Sequence, residues 1–163
     1  MLKLQTRKRN IKVNKNIEKR ISNFNRIINF YRFDNDVIND KIVDFVTMLN
    51  NNIKRIEEIK KLEYNWNDNE AEPIDKTICD NVLNIIYEVI IQPKIFPTAN
   101  DSIQLEYYDK NDRNKYLEFE VFKDYINVYE ILSDSKEKSY IINSISTNKI
   151  NSIIMDFYEI NRK

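Results

Sequence analysis

The stretch SIQLEYYDKNDRNKYLEFEVFKDYINVYEIL, residues Ser102–Leu132, decides the fold, because apolar and polar residues alternate along most of it. In the segment KYLEFEVF, for example, Leu117 and Phe119 alternate with Glu118 and Glu120. Successive side chains of a β-strand point to opposite faces of a sheet, so this period of two predicts strands with one covered face and one polar face. The segments SIQLEYY, KYLEFEVF and YINVYEIL are therefore predicted to be strands.

Short polar connections join these predicted strands. DKNDRN links the first two, and Lys123–Asp124 has the length of a tight hairpin turn between the second and the third. A further segment, SYIINSI at residues 139–145, is a candidate fourth strand. We therefore predict a small antiparallel β-meander of three to four strands.

Helical periodicity dominates the part of the chain that precedes the strands. Apolar residues recur at intervals of three and four in two N-terminal segments, which the short break RFDND separates. This spacing places them on one stripe of each helix and predicts an antiparallel helical hairpin over residues 15–62. The heptad-like spacing would also support a homodimer through the same N-terminal helices. The first stripe is Ile17, Ile21, Phe24, Ile28 and Tyr31, and the second is Ile38, Ile42, Phe45, Leu49, Ile53, Ile56 and Ile59.

Two more helices are predicted, one before and one after the strands. Pro73 suits the first turn of a third helix, and Ser146 or Thr147 can cap a closing helix. The predicted fold class is α+β: an N-terminal helical hairpin plus a third helix, the small antiparallel meander, and a closing C-terminal helix. We predict a basic arm at residues 1–14, the hairpin at 15–62 and an α+β domain at 63–163. The apolar positions are Ile74, Ile78, Val82, Ile85, Ile86 and Val89 in the third helix, and Ile150, Ile153, Ile154 and Phe157 in the last.

The connector LEYNWNDNEAEPI, residues Leu62–Ile74, contains the only tryptophan of the chain. Its Asn and Asp residues favour turns, because their side chains bond to the nearby backbone. We predict that Trp66 is a wedge that fills the corner between the second and third helices. The alternative is an exposed aromatic anchor for a partner.

Histidine and glycine are both missing from the chain. Without histidine, the usual general base near neutral pH and the commonest metal ligand are absent. Without glycine, phosphate-binding loops, nucleotide fingerprints and nucleophile elbows are excluded. We therefore expect a protein that is not an enzyme and that has no cofactor or metal. The single Cys79 cannot form an internal disulfide, and no apolar run reaches the length of a membrane span, which favours a cytoplasmic protein without a membrane partner.

Charge is distributed unevenly along the chain, although the net charge is zero. Residues 1–60 contain 14 Lys/Arg and 7 Asp/Glu, a net of +7, whereas residues 61–163 contain 12 and 19, a net of −7. A basic arm without acids predicts either contact with nucleic acid or a solvated, partly disordered tail. The candidate nucleic-acid-binding residues are Lys3, Arg7, Lys8, Arg9, Lys12 and Lys15.

Two motifs resemble those of a known family. NWNDNEAEPI, at residues 65–74, resembles N-W-D-G-x-G-A-x-P-I, and FPTANDSIQLEYYDKNDRNKYLEFEVF, at residues 96–122, resembles P-T-x-x-G-x-I-Q-L-E-W followed by Y-L-E-I-E-I. The pairing is similar to a family of short, uncharacterised prokaryotic proteins, often encoded on phages and other mobile elements. The resemblance covers roughly Leu62 to Ile131 and implies a mobile-element context, without catalytic residues. Asp68, Glu70 and Asp101 stand where the family has glycine, so the turns there are expected to be either different or strained.

The strongest candidate site consists of Glu106, Glu118 and Glu120. If Leu105, Leu117 and Phe119 face the core, these carboxylates share the opposite face of the sheet with Gln104. Three interpretations remain open: a solvated face, an acidic patch for a partner's Lys/Arg surface, or a catalytic or divalent-metal site.

Aromatic residues accompany these carboxylates. The predicted register places Phe122, Tyr125 and Tyr129 outward, and a two-residue turn at Lys123–Asp124 would pair Phe122 with Tyr125. Exposed aromatics beside carboxylates are typical of an interface with apolar anchors and a charged rim. The alternative is that the closing helix covers this face and makes the rings part of the core.

These features favour a non-enzymatic protein-binding module of phage or mobile-element type. A concrete case is an anti-CRISPR-like inhibitor of a host defence nuclease, which would occlude the nucleic-acid channel of this effector. The alternative is a nucleic-acid-binding regulator or antitoxin-like protein that uses the basic arm. A third, enzymatic hypothesis predicts metal-dependent turnover that Glu118→Gln abolishes.

Overall fold

The computed structural model describes residues 35–160, with side chains from residue 43 onward. Within this range three helices accompany one five-stranded antiparallel sheet, which confirms the predicted α+β class. The first helix of the predicted hairpin and the basic arm lie outside the described residues. No helix in the described range is long and apolar enough to cross a membrane. The elements are α1 (Asn35–Ile59), α2 (Lys76–Glu88), β1 (Lys94–Thr98), β2 (Ser102–Tyr108), β3 (Tyr116–Val121), β4 (Ile126–Ile131), β5 (Glu137–Ile142) and α3 (Thr147–Phe157).

The strands form a meander in the order β1-β2-β3-β4-β5, so each strand pairs with its neighbour in the chain. The sheet has five strands rather than the predicted three to four. The unpredicted strand is β1, which contains Pro97 opposite Ile103 of β2. Proline has no N–H for a strand ladder, and it is tolerated here because β1 is an edge strand.

One face of the sheet, the inner face, is covered by helices and forms the core with them. Alternate residues of β2, β3 and β4 are buried, as the period of two predicted. Ile56 and Ile59 at the end of α1 are also buried in this core, so α1 packs with the sheet. The remaining buried cluster includes Ile78, Cys79, Val82, Ile85 and Ile86 of α2, Ile103, Leu105, Tyr107, Leu117, Phe119, Val121, Ile126 and Val128 of the sheet, and Ile150, Ile153, Ile154 and Phe157 of α3.

The connector between α1 and α2 is closed by its own polar groups. The indole N–H of Trp66 donates to the carbonyl of Glu72 at 3.0 Å, and the amide of Asn65 donates to the carbonyl of Ala71 at 2.8 Å. The side chain of Asn67 accepts from the amide of Ala71 at 3.2 Å. Trp66 is half-buried. It is not among the half-buried apolar side chains that pack against the core, so the wedge between the two helices stays a prediction, and the described role of its indole is to link two positions of the connector.

Six described residues adopt the left-handed backbone conformation without being glycine, and three of them are Asp68, Glu70 and Asp101. Asp68, Glu70 and Asp101 have φ of 57°, 60° and 51°. At these three positions the pattern that the sequence resembles has glycine, and of the two expectations, a different turn or a strained one, the left-handed φ values fit the strained one. A side chain in this region clashes with its own backbone, at a cost of about 1–2 kcal/mol per residue. Local hydrogen bonds hold the turns nonetheless: the amide of Glu70 donates to Asn65 Oδ1 at 2.8 Å.

Candidate interaction face

The outer face of the sheet, which is opposite the helices, carries the predicted acidic and aromatic residues. α3 packs on the inner face through Ile150, Ile154 and Phe157, so it does not cover these rings. The outer side chains of β2, β3 and β4 are half-buried or exposed. On the three central strands and the β3–β4 hairpin this outer face includes Gln104, Glu106, Tyr108, Tyr116, Glu118, Glu120, Phe122, Tyr125, Asn127 and Tyr129, and the edge strands continue it with Lys94 and Phe96 of β1 and Glu137, Ser139 and Ile141 of β5.

The strand register brings the three candidate carboxylates together. Glu106 of β2 lies directly opposite Glu118 of β3, and Gln104 lies opposite Glu120. Across the next pair of strands, Glu118 faces Tyr129. Directly opposed side chains have Cβ atoms about 4.5–5.5 Å apart, and like charges in such pairs are destabilising. The face therefore retains an electrostatic repulsion that a cationic partner would relieve.

Neutral donors hold the carboxylates in place. Tyr108 donates to Glu106 Oε2 at 2.6 Å, and Tyr116 donates to Glu118 Oε2. Ser102 donates to Glu120 Oε1 at 2.7 Å. Among the described residues, none of the three glutamates forms an ion pair within 4.0 Å. The three carboxylates are thus oriented by neutral donors, and Lys94 is the cation directly opposite Glu106 in the strand register.

The tyrosines on this face respond to the adjacent negative charge. The hydrogen bond to Glu106 raises the pKa of Tyr108 to about 12. Burial, followed by the hydrogen bond to Glu118, raises the pKa of Tyr116 above its ordinary value. A hydrogen bond to Glu137 raises the pKa of Tyr129. The phenols therefore remain protonated donors to the carboxylates at neutral pH.

Aromatic rings form two groups on the outer face. Tyr116 lies between Tyr108 and Tyr129, with ring centroids 5.3 and 6.2 Å away. Lys94 Nζ lies 4.6 Å from the ring centroid of Tyr108, at the β1 side of the face. This contact shows that an ammonium group fits against these rings.

The second aromatic group is at the hairpin between β3 and β4. Phe122 and Tyr125 stack with centroids 4.6 Å apart and an interplanar angle of 12°. The amide of Phe122 donates to the carbonyl of Tyr125 at 3.0 Å, which confirms the predicted turn at Lys123–Asp124. Tyr125 is exposed and Phe122 is half-buried. The predicted aromatic anchors are thus on the same face as the glutamates.

Other candidate residues are not part of this face. Lys3, Arg7, Lys8, Arg9, Lys12 and Lys15 lie outside the described residues. Cys79 is in the core, and burial raises the pKa of its thiol to about 11. Between residues 43 and 160, no group of three or more acidic or cysteine side chains is close enough together to hold a metal ion.

Sequence reasoning missed a second charged region, beside α3. A cavity of about 650 Å³ lies there, and its lining includes Lys115, Glu130, Lys138 and Tyr140. Glu130 is at an inward position of β4, in register with the buried Ile126 and Val128. The sequence signal for this region was Glu130 itself, because it occupies a position of the strand at which the alternation calls for an apolar residue.

No protein-family model matches this chain, and searches of the curated proteins and of the solved structures also found no match.

Proposed function

We propose that the outer face binds a basic surface of a partner protein and that the protein acts by occlusion rather than by catalysis. The observation that carries this proposal is the set Glu106, Glu118 and Glu120, which is oriented by neutral donors and has no ion pair among the described residues. The stacked rings of Phe122 and Tyr125 supply apolar anchors beside the charge. Buried aromatics with complementary charge are the usual elements of specific interfaces.

The charge of the face favours a basic protein surface over nucleic acid. Phosphates would be repelled by the glutamates, although the rings alone would suit base stacking. A protein that binds nucleic acid presents Lys and Arg to phosphates, and a face of this kind competes for the same groups. We therefore propose a host nucleic-acid-processing effector as the partner, with an anti-CRISPR-like inhibitor of a defence nuclease as the specific case.

The size of the face sets the expected strength of binding. Five strands of about six residues cover roughly 20 Å by 20 Å, given the spacing between strands and the rise per residue. The resulting area of about 400 Å² is half of the roughly 800 Å² that each partner buries in a stable complex of standard size. The outer face alone therefore suits a transient, salt-sensitive complex, and a tighter one would need contacts from the flanking loops.

Capture of the partner at low salt tests this proposal. The wild-type chain is used as bait in a lysate of its bacterial host, and the bound proteins are eluted with increasing salt or with competing DNA. We expect the wild-type chain to capture a nucleic-acid-binding protein in a stoichiometric amount. The triple variant Glu106→Gln, Glu118→Gln, Glu120→Gln should lose it, because the substitution removes three negative charges without changing shape.

A matched control removes three charges elsewhere. Glu63, Glu70 and Glu72 are exposed in the connector between α1 and α2, so their change to Gln should leave capture intact. Capture that survives in the face variant, or no stoichiometric partner for wild type, would contradict the proposal. Metal-dependent turnover that Glu118→Gln abolishes would favour the enzymatic alternative.

The alternative function, nucleic-acid binding by an antitoxin-like regulator, is favoured by six cations and no acid in the first fifteen residues. It predicts an affinity that falls steeply with salt and disappears when residues 1–15 are deleted. Binding of a DNA duplex by the full chain and by the deletion variant, measured by fluorescence anisotropy, separates the two functions.

A further inference from the structure

The cavity beside α3 contains the carboxylate of Glu130, which is largely buried but keeps its oxygens open to the cavity, with Lys138 as its ionic partner among the described residues. Glu130 is only 8% exposed and its side chain contributes to the cavity lining. Within the described residues this carboxylate accepts no hydrogen bond, and its ion pair is with Lys138 Nζ at 3.6 Å. That separation exceeds the roughly 2.7–2.9 Å of a charged N–H···O bond. Buried carboxylates normally have such donors, since burial without them is unfavourable.

The other buried charge at this cavity is already compensated. Lys115 Nζ donates to the carbonyl of Phe157 at 2.6 Å and lies 5.1 Å from the centroid of the Phe157 ring. It also lies 3.7 Å from both Asp109 and Glu159. Lys115 is therefore not free to neutralise Glu130.

Acids outnumber lysines in the lining of this cavity, and Asp134 and Glu159 have ion pairs of their own, with Lys136 at 2.6 Å and Lys115 at 3.7 Å. Its lining contains four acids, Glu130, Asp134, Asp156 and Glu159, against two lysines. Burial, followed by the charges of Glu130 and Asp156, raises the pKa of Tyr140. The ring of Tyr140 and the side chains of Ile153 and Phe157 add apolar wall. A volume of about 650 Å³ is within the usual range of roughly 300–1,000 Å³ for small-ligand sites.

We propose that this cavity binds an alkylammonium group, with Glu130 as the anionic acceptor and the ring of Tyr140 against the alkyl chain. Lys138, whose side chain is 55% exposed, is then a displaceable internal counter-ion. The ammonium could come from a free polyamine or from a lysine side chain of another protein. The site is on the inner face of the sheet, so it is independent of the outer face and of the function proposed for it.

NMR titration of the full-length, ¹⁵N-labelled chain tests the proposal. The probes are n-butylammonium, spermidine and N-acetyl-lysine amide at constant ionic strength, with butyrate as the anionic control. We expect the ammonium probes to shift the amides of Glu130, Lys138, Tyr140 and Asp156, and butyrate to leave them unchanged. Stronger binding of spermidine than of N-acetyl-lysine amide identifies a polyamine site, and the reverse order identifies a lysine side chain.

Two variants and one control make the test specific. Glu130→Gln should weaken n-butylammonium binding by at least about tenfold, because hydrogen bonds to charged groups are among the strongest in proteins. Glu137→Gln removes the same charge from the next strand but on the outer face, so it should bind as wild type does. Lys138→Gln should bind several-fold more tightly, since the internal competitor is removed.

Equal affinity of wild type and Glu130→Gln, or shifts confined to the outer face, would overturn the proposal. Thermal melting shows whether Glu130→Gln is folded. If it is not, Lys138→Gln decides alone: tighter binding supports the site, and unchanged or weaker binding overturns it.

Discussion

At the scale of single residues, the absence of glycine leaves strain at the turns. Glu70 has the left-handed φ of 60°, yet its side chain is exposed and forms no hydrogen bond or ion pair among the described residues. Asp101 has a similar φ of 51°, but its carboxylate accepts from the amide of Asp75 at 2.9 Å. Both positions therefore have the same unfavourable backbone conformation, but only the side chain of Asp101 makes a hydrogen bond that offsets it.

Glu70→Gly is predicted to stabilise the fold. Relief of the left-handed strain should exceed the greater flexibility that glycine gives the unfolded chain, for a net gain of about 0.5–1 kcal/mol. Urea unfolding followed by circular dichroism measures the difference. Asp101→Gly is the comparison, and it should gain less or lose stability because the hydrogen bond to Asp75 disappears. A less stable Glu70→Gly would show that the turn conformation differs from the one described.

At the scale of elements, Asp75 joins α2 to two hairpins of the sheet. Its side chain caps α2 by accepting from the amide of Thr77 at 2.7 Å, and it pairs with Lys123 at 3.2 Å. Its own amide is held by Asp101. The hydrogen bond from Thr77, followed by the contact with Lys123, lowers the pKa of Asp75. The capping interaction therefore stabilises the fold above the ordinary carboxyl pKa of about 4 and is lost as the pH falls through the lowered pKa.

Asp75→Ala is predicted to lower the melting temperature at pH 7 by about 2–4 °C, as expected for loss of an N-cap in a domain of this size. Asp75→Asn should have a smaller effect, because asparagine still caps the helix and an exposed ion pair contributes little. Differential scanning calorimetry at pH 7 and pH 3 measures both variants. Equal effects of Ala and Asn at pH 7 would place the stabilisation in the Lys123 pair instead.

How far sequence could predict these elements depended on local signals. The alternation in KYLEFEVF and the two-residue turn at Lys123–Asp124 are local, and both are found in the structure. β1 is different, because Pro97 is compatible with a strand only at an edge. Side chains of α1 hold this segment: Asn52 donates to the carbonyl of Pro93 at 3.0 Å and Arg55 to that of Ile95 at 3.5 Å. Such contacts span about forty residues and leave no local pattern.

The candidate sites show the same limit. Alternation placed Glu106, Glu118 and Glu120 on one face, but it could not tell whether the closing helix covers that face. The answer depends on which side of the sheet α3 reaches after β5. Lys115 ends a polar loop in the sequence, yet it is buried because the carbonyl of Phe157, 42 residues later, accepts from it. Periodicity contains no information on a partner so distant in the chain.

At the scale of the whole molecule, tyrosines that the fold holds in their neutral form make the stability of the folded state depend on pH in the alkaline range. Burial and the nearby Tyr158 raise the pKa of Tyr107, which is in the core. The pKa of Tyr116 is also raised, and the pKa of Tyr108 is raised to about 12. A raised pKa means that the folded state resists ionisation. This stability is complete below the unfolded tyrosine pKa of about 10 and is lost as the pH rises through the folded values.

We therefore predict cooperative unfolding at alkaline pH, beginning above about pH 10. Tyrosinate absorbance at 295 nm and far-ultraviolet circular dichroism should change together for the buried phenols. Tyr107→Phe should shift the midpoint upward, since Tyr107 Oη is buried without a hydrogen-bond partner among the described residues. Tyrosine ionisation that is complete while the circular dichroism is still native would contradict this prediction.

Trp66 gives the molecule a built-in optical reporter. It is the only tryptophan in a chain with ten tyrosines, and its indole fastens the loop between α1 and α2. Tryptophan fluorescence excited at long wavelength therefore reports on the loop between α1 and α2. Tyrosine absorbance comes mainly from residues of the sheet. The two signals, followed in a single stopped-flow experiment, would tell whether the helical layer detaches before the strands separate.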